Sequence, residues 1–388
     1  MTTTRESPVA ASFAISSRAI VCADEVVSGT VFVEAGRIAG LERSPAVRSA
    51  IEWGDDYLIP GLVELHTDHL EPHYSPRPKV FWDPVAAVLS YDAQIAASGI
   101  TTVFDSLRAG SDGDRHTLGG GLHALGAALE KSRKAGMLRV QHLTHLRCEI
   151  CSDDVIEETE RFLSAFGAHL ISLMDHTPGV RQFRDASKLR DFYRGKSTRT
   201  DAEMDAFIAQ RLQSRARYHD RHRARLVAIA RGKGIPLASH DDTTIEHVRD
   251  SLTDGVRIAE FPTTLEAASA SHAAGLAVMM GAPNLVRGGS HSGNVAAVDL
   301  AEAGILDVLS SDYVPASLLH GAWMLASVPA VGTLAGAMRT VSKAPARAVG
   351  LEDRGEIAPG LRADFIRVSL FGNLPVVREV YCGGRRVA

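Results

Sequence analysis

Histidine and aspartate recur at the ends of short apolar stretches in this chain. One stretch ends in His66-Thr67-Asp68, and another carries His145, Arg147 and Glu149. Others end in Asp175-His176, in His240-Asp241-Asp242 and in Asp312. Residues two apart on a strand face the same way, so His66 and Asp68 can share one metal. Glu149 can reach that centre from another strand, and His176, His240 and Asp312 can close the ring. Imidazole and carboxylate without thiolate suit one or two divalent ions, Zn²⁺ first, with Mn²⁺ or Fe²⁺ as alternatives. His69, Glu71 and His73 follow the first stretch and are alternatives to any chosen ligand. A single His-x-Asp pair is a weak signal, but the same chemistry at five strand ends is a strong one.

The elements that must position these groups alternate in type. Eight strand candidates, LVELHTD, TTVFDSL, LRVQHLTHLRCE, HLISLMDH, PLASHDD, RIAEFP, LAVMMGAP and LDVLSSDY, are mostly followed by helical patterns. Eight such units predict an α/β chain, a closed (β/α)₈ TIM barrel with its active site at the C-terminal ends of the strands. Short strands punctuated by glycine fill both ends of the sequence. They are expected to pair as a small β-sandwich from residues 1–58 and 346–388, with the hydrolase barrel over 59–345. The 388 residues, 45% hydrophobic and 23% charged, suffice for such a core and exclude global disorder.

A formal net charge of −4 gives no global attraction to nucleic acid or an anionic membrane. Four cysteines are too few for a disulfide framework, and Cys148-x-x-Cys151 has no second pair beside it. No secretory signal opens the sequence, so a cytoplasmic enzyme is expected, as a homo-oligomer, dimer first. The uncharged run Gly321–Met338 is broken by Pro329 and reads as barrel helix rather than a membrane span. Residues 181–233 carry 15 of the 42 Lys and Arg against 6 acidic residues. That segment is either a solvated helical excursion or a cationic rim beside an anionic substrate.

IPGLVELHTD, the strand-end His and Asp residues and DRGEIAPGLRADF resemble the amidohydrolase superfamily. HTDHLEPHYSPRP, HLRCEI, LMDHTPGVRQF, SHDDTT, EFPTTLEAA, GAPNLVRGGSHSGN and LSSDYVPASLL resemble, more narrowly, the diphosphatases of the bacterial carbon–phosphorus lyase pathway. The resemblance implies metal-dependent hydrolysis of α-D-ribose 1-methylphosphonate 5-triphosphate to the 5-phosphate and diphosphate. The superfamily's first-strand His-x-His is here His66-x-Asp68, and Glu149 stands where a bridging carboxylated lysine is common. Asp312 would orient the attacking water and take its proton. A small polyphosphorylated substrate calls for cations, and Arg77, Lys79, Arg147, Arg181, Arg184 and Arg287 follow or end strand candidates. Asn284 and His291 would add neutral contacts. The alternative is an amidohydrolase in the literal sense, cleaving an amide, cyclic imide or ring amidine C–N bond.

Overall fold

The computed structural model describes residues 12–43, 49–111, 121–181, 200–290 and 293–388. Strands β1 (Phe13–Val21), β2 (Val26–Glu34), β3 (Arg37–Glu42), β4 (Ile51–Glu52) and β5 (Tyr57–Pro60) come first. Then follow β6 (Leu62–Thr67), β7 (Ile100–Ala109), β8 (Gln141–Glu149), β9 (Leu170–Met174), β10 (Leu237–His240), β11 (Ile258–Glu260), β12 (Ala277–Gly281) and β13 (Val308–Ser310). The chain ends with β14 (Phe365–Phe371), β15 (Leu374–Cys382) and β16 (Arg385–Arg386).

Strands β6 to β13 coincide with the eight candidates and lie side by side in sequence order, all parallel. Consecutive parallel neighbours require crossovers, and helices supply them. Asp83 caps helix Pro84–Ala97, and Thr244 and Thr264 cap the helices that follow β10 and β11. Inside the ring, Val63, Phe104, Leu143, Leu170, Ala238, Ile258, Met279 and Val308 contribute one apolar side chain from each strand. This layer is the barrel floor, a packed core rather than a pore.

The ring closes between β13 and β6 at a single parallel bridge, Thr67 to Asp312. The fully buried Glu64 carboxylate reinforces that seam. It accepts from His66 N at 2.6 Å, from the Ser310 hydroxyl at 2.9 Å and from Ser311 N at 2.5 Å. Between Glu64 and Thr67 the register against β7 shifts, so strict alternation fails within β6.

The two chain ends meet in a second sheet, ordered β16-β15-β14-β5-β1-β2-β3 with β4 also on β1. β1 and β15 are three strands apart, about 14 Å on a flat sheet. The Phe13 and Tyr381 rings are nonetheless 5.7 Å apart, so the sheet curls over itself, sandwich-fashion, around Trp53 and Phe365. Gly36, with φ +77°, lies where a Cβ would come within 2.9 Å of Gly383 O, and only glycine permits that turn-on-turn contact. Residues 317–325 and 334–339 are separate short helices. Among the described residues no helix is long and apolar enough to cross a membrane.

Candidate active site at the barrel mouth

One layer above the floor the inward side chains become polar. Glu260, at the end of β11, is fully buried and gathers three groups. Its oxygens lie 3.2 Å from His66 Nδ1 and 3.1 Å from His240 Nδ1, and accept from the Ser172 hydroxyl at 2.6 Å. Burial pushes its carboxyl up, but His66 and His145 and the donors on His240 and His66 outweigh that and hold it well below the usual range. Burial lowers His66 to about 4 and so keeps the imidazole neutral, the form that binds metals.

The His66 and His240 rings are 5.5 Å apart, and His176 and His240 5.3 Å. Among the described residues three groups have ligand atoms within 4.8 Å of one another: His66, His240 and Glu260; His176, His240 and Asp241; and Glu149, Cys151 and Asp175. His240 belongs to the first two. Asp241 Oδ2 is buried, 3.6 Å from His240 Nε2, and has no hydrogen-bond partner. Asp312 is pushed up to about 7 by burial and by its neighbour Asp68. An orphaned carboxylate oxygen, a carboxyl crowded by another and three imidazoles fit a divalent cation. Asp241 and Phe261, one residue past β10 and β11, and Asp312, two past β13, have φ of +56°, +53° and +52°. Left-handed backbone in non-glycine residues at three strand ends marks strain held at a functional place.

The remaining expected residues divide. Asp68 is 3.5 Å from Arg147 NH1, beside Asp312 rather than in any of the three ligand groups. Arg147 points into the mouth with its Nε buried and unpartnered. Glu149 receives Arg108 at 3.2 Å, Arg211 at 3.1 Å and His176 Nδ1 at 2.7 Å. Arg181 is buried and turned onto His240 O and Asp242, at 2.8 and 2.6 Å. The Asn284 amide ties its own loop to Val295 O and Ala297 N. Arg77 is exposed, as is Arg287, which lies 3.5 Å from the Tyr313 hydroxyl. His69 and His73 both lie on Gln94, at 3.1 and 2.9 Å. Arg184 and His291 lie outside the described residues. The thiols of Cys148 and Cys151 are buried and pushed up by burial, Cys148 to about 12.

Sequence reasoning missed Glu260, Arg108, Arg211 and Arg215. A carboxylate inside the apolar strand RIAEFP was a legible signal for Glu260. Arg211 and Arg215 come from the basic segment, on the long helix Asp201–Lys233.

No protein-family profile matches the chain. It is 44% identical over 375 residues, 96% of its length and 99% of the relative's, to the alpha-D-ribose 1-methylphosphonate 5-triphosphate diphosphatase of Escherichia coli (strain K12). Among solved structures it is similar to N-acetyl-D-glucosamine-6-phosphate deacetylase from Mycobacterium smegmatis. That match has a TM-score of 0.64 at 16% identity and covers 97% of this chain and 100% of that one. It is also similar to N-isopropylammelide isopropylaminohydrolase from Burkholderia multivorans, with a TM-score of 0.62 at 18% identity, over 96% and 98% of the two chains.

Proposed function

The chain belongs to the α-D-ribose 1-methylphosphonate 5-triphosphate diphosphatases, within the amidohydrolase superfamily, and on that premise we propose what its barrel mouth does. It cleaves the phosphoanhydride between the α- and β-phosphorus of that triphosphate. Diphosphate leaves and the ribosyl 5-phosphate stays. The observation that carries this reading is a set of buried side chains prepared for opposite charges: a cation-ready His and Asp cluster and the buried, unpartnered Arg147 Nε. A neutral amide substrate has no use for that guanidinium.

His66, His176, His240 and Asp241 would hold the metal with the Asp312 carboxyl near His240, and these N and O donors suit Zn²⁺ first. When bound, the cation supplies Lewis acidity to water and to phosphoryl oxygens. Glu260 fixes the Nδ1 edges of His66 and His240 and so sets both rings. The Asp312 carboxylate accepts the proton of the attacking water. Arg147 holds phosphoryl oxygens and offsets the charge that builds on the leaving diphosphate. The water oxygen ends on the α-phosphorus, and the bridging oxygen departs on the β-phosphorus.

Hydrolysis in ¹⁸O-water tests this. Label is expected in the sugar 5-phosphate and none in diphosphate. Label in diphosphate, or orthophosphate as first product, refutes the geometry. An enzyme inert on triphosphates but active on a cyclic imide or amide supports the C–N alternative instead.

A further inference from the structure

At the end of the barrel opposite the mouth lies a cavity of about 360 Å³, between the last turn of helix Gly121–Lys134 and the starts of β8 and β9. β8 runs from Gln141, on the cavity wall, to Glu149 at the mouth, so the two ends are about 26 Å apart along that strand. The volume is at the low end for a ligand site and suits a small molecule. Leu138, Val140 and Leu143 give the cavity an apolar wall, which strengthens charge interactions inside it.

The polar side chains of the lining have donors left over and no acceptor. Gln141 Oε1 accepts from Arg354 at 2.7 Å and from Arg362 at 2.9 Å. Two guanidiniums on one oxygen fix the amide, so its NH₂ is the side left over. His169 Nδ1 accepts from the Thr144 amide at 3.1 Å. Burial and then the Arg133 guanidinium push its pKa down, so the ring is neutral and its proton sits on Nε2. Arg133 gives NH1 to Glu130, and its Nε and NH2 have no partner among the described residues. His142 has both ring nitrogens taken, by Asp105 and Asp92, and adds no acceptor.

Charge points the same way. Glu130 is shared by Arg133 and Lys134, and one carboxylate cannot neutralise both. The C-terminus of helix Gly121–Lys134 carries about half a negative charge, and Lys131, Arg133 and Lys134 in its last turn outweigh it. The carboxylates behind the wall are engaged, Asp92 by Arg139 and His142, and Asp364 by Arg362.

We propose that this cavity is a second anion site, for a phosphate-type oxyanion, with His169, Gln141 and Arg133 as its donors. Such an anion has oxygens that only accept, and it meets N–H groups that only donate. The inference goes beyond the reaction proposed for the mouth, although diphosphate released there has the chemistry this cavity takes.

The test is calorimetric titration of the metal-loaded enzyme with inorganic diphosphate and, separately, with orthophosphate. Gln141→Glu keeps an acceptor for Arg354 and Arg362 but turns the donor side into a carboxylate oxygen. It should weaken one oxyanion site per chain by roughly a hundredfold, and Arg133→Gln should weaken the same site roughly tenfold. Turnover of the ribosyl triphosphate should be unchanged in both, since neither residue lies at the mouth. Near-UV circular dichroism checks folding. Should Gln141→Glu fail to fold, Arg133→Gln, on an exposed helix turn, carries the test. Tighter binding of diphosphate than of orthophosphate at this site identifies the reaction product as occupant, and the reverse order identifies free phosphate. Equal site number and affinity in the wild type and the folded variants overturn the inference, as does a wild type that binds neither anion. A wild type with a single site that Gln141→Glu removes keeps the inference and shows that the mouth does not retain product.

Discussion

Two buried ionic networks in this barrel are built from the same residue types and finished differently. On the flank, His142 of β8 lies between Asp105, at 3.0 Å, and Asp92, at 3.2 Å, and Asp92 also receives Arg139 and the Val140 amide. Both imidazole nitrogens there have partners. At the mouth, Asp241 Oδ2 and Arg147 Nε are buried and have none. Buried polar groups are costly unless paired, so a completed network is structure and an incomplete one is a place prepared for a ligand. The lesson is that burial and charge alone do not mark a site. At this mouth unfilled hydrogen-bonding capacity on charged groups and strained backbone lie side by side.

The largest effect that would sharpen this contrast is at Asp312. Asp312→Asn should lose roughly 10²- to 10⁴-fold in turnover, the scale of a missing general base. Asparagine tolerates left-handed backbone, so the fold should persist, and bound metal should survive better than in His66→Ala. Near-normal turnover would move the base to Asp241 or Asp242. On the floor, Phe104→Ala should do the opposite. A destabilisation of about 3–5 kcal/mol in denaturant titration is expected, with turnover per folded molecule little changed. Comparable loss of turnover would show that floor and mouth are not separable. Next is Glu260→Gln, which should weaken metal affinity roughly 10- to 100-fold by freeing the rings of His66 and His240, measurable by competition with a chelator. Unchanged affinity would remove Glu260 from the support of the cluster.

The smallest effect belongs to the completed network. Burial opposes charging His142, but Asp105 and Asp92 push it up to about 9. A raised folded value means the stabilisation is full below the unfolded value near 6.5 and is lost as pH rises through 9. Unfolding free energy should drop by on the order of 1–2 kcal/mol between pH 7 and pH 10, and His142→Gln should flatten that slope. The same slope in His142→Gln would place its origin elsewhere.

The barrel was legible because each strand is short, apolar and ends in a polar residue, and both sequence ends carry glycine-punctuated strands. The clustering of the histidines was legible in part. His66, His240 and His176 do converge, as the strand ends predict. Counting by twos from His66 fails at Asp68, because the register shift in β6 breaks the alternation that the count assumes. Position after a strand also failed to foretell direction. Arg181 and Asn284 occupy the right loops but turn inward to hold backbone, a choice made by tertiary neighbours that no local pattern encodes. Arg211 and Arg215 were visible only as excess charge, since their pairing with Glu149 and Asp175 depends on where a helix lies against strands far away in sequence.

The curled second sheet has a temporal consequence. β1 to β5 pair among themselves early in the chain, but β5 leaves one edge open, and its partner β14 lies beyond the entire barrel, with Ile59 opposite Ile366. An open edge invites pairing with other chains until it is covered. During synthesis that edge must wait for eight strands and their helices to emerge before β14 fills it. The contact between the two ends is of long range and therefore slow to form. Aggregation on the ribosome, or during dilution from denaturant, should thus begin at Tyr57–Pro60, a segment far from the catalytic mouth, and a β14 peptide supplied in trans would be the natural agent to suppress it.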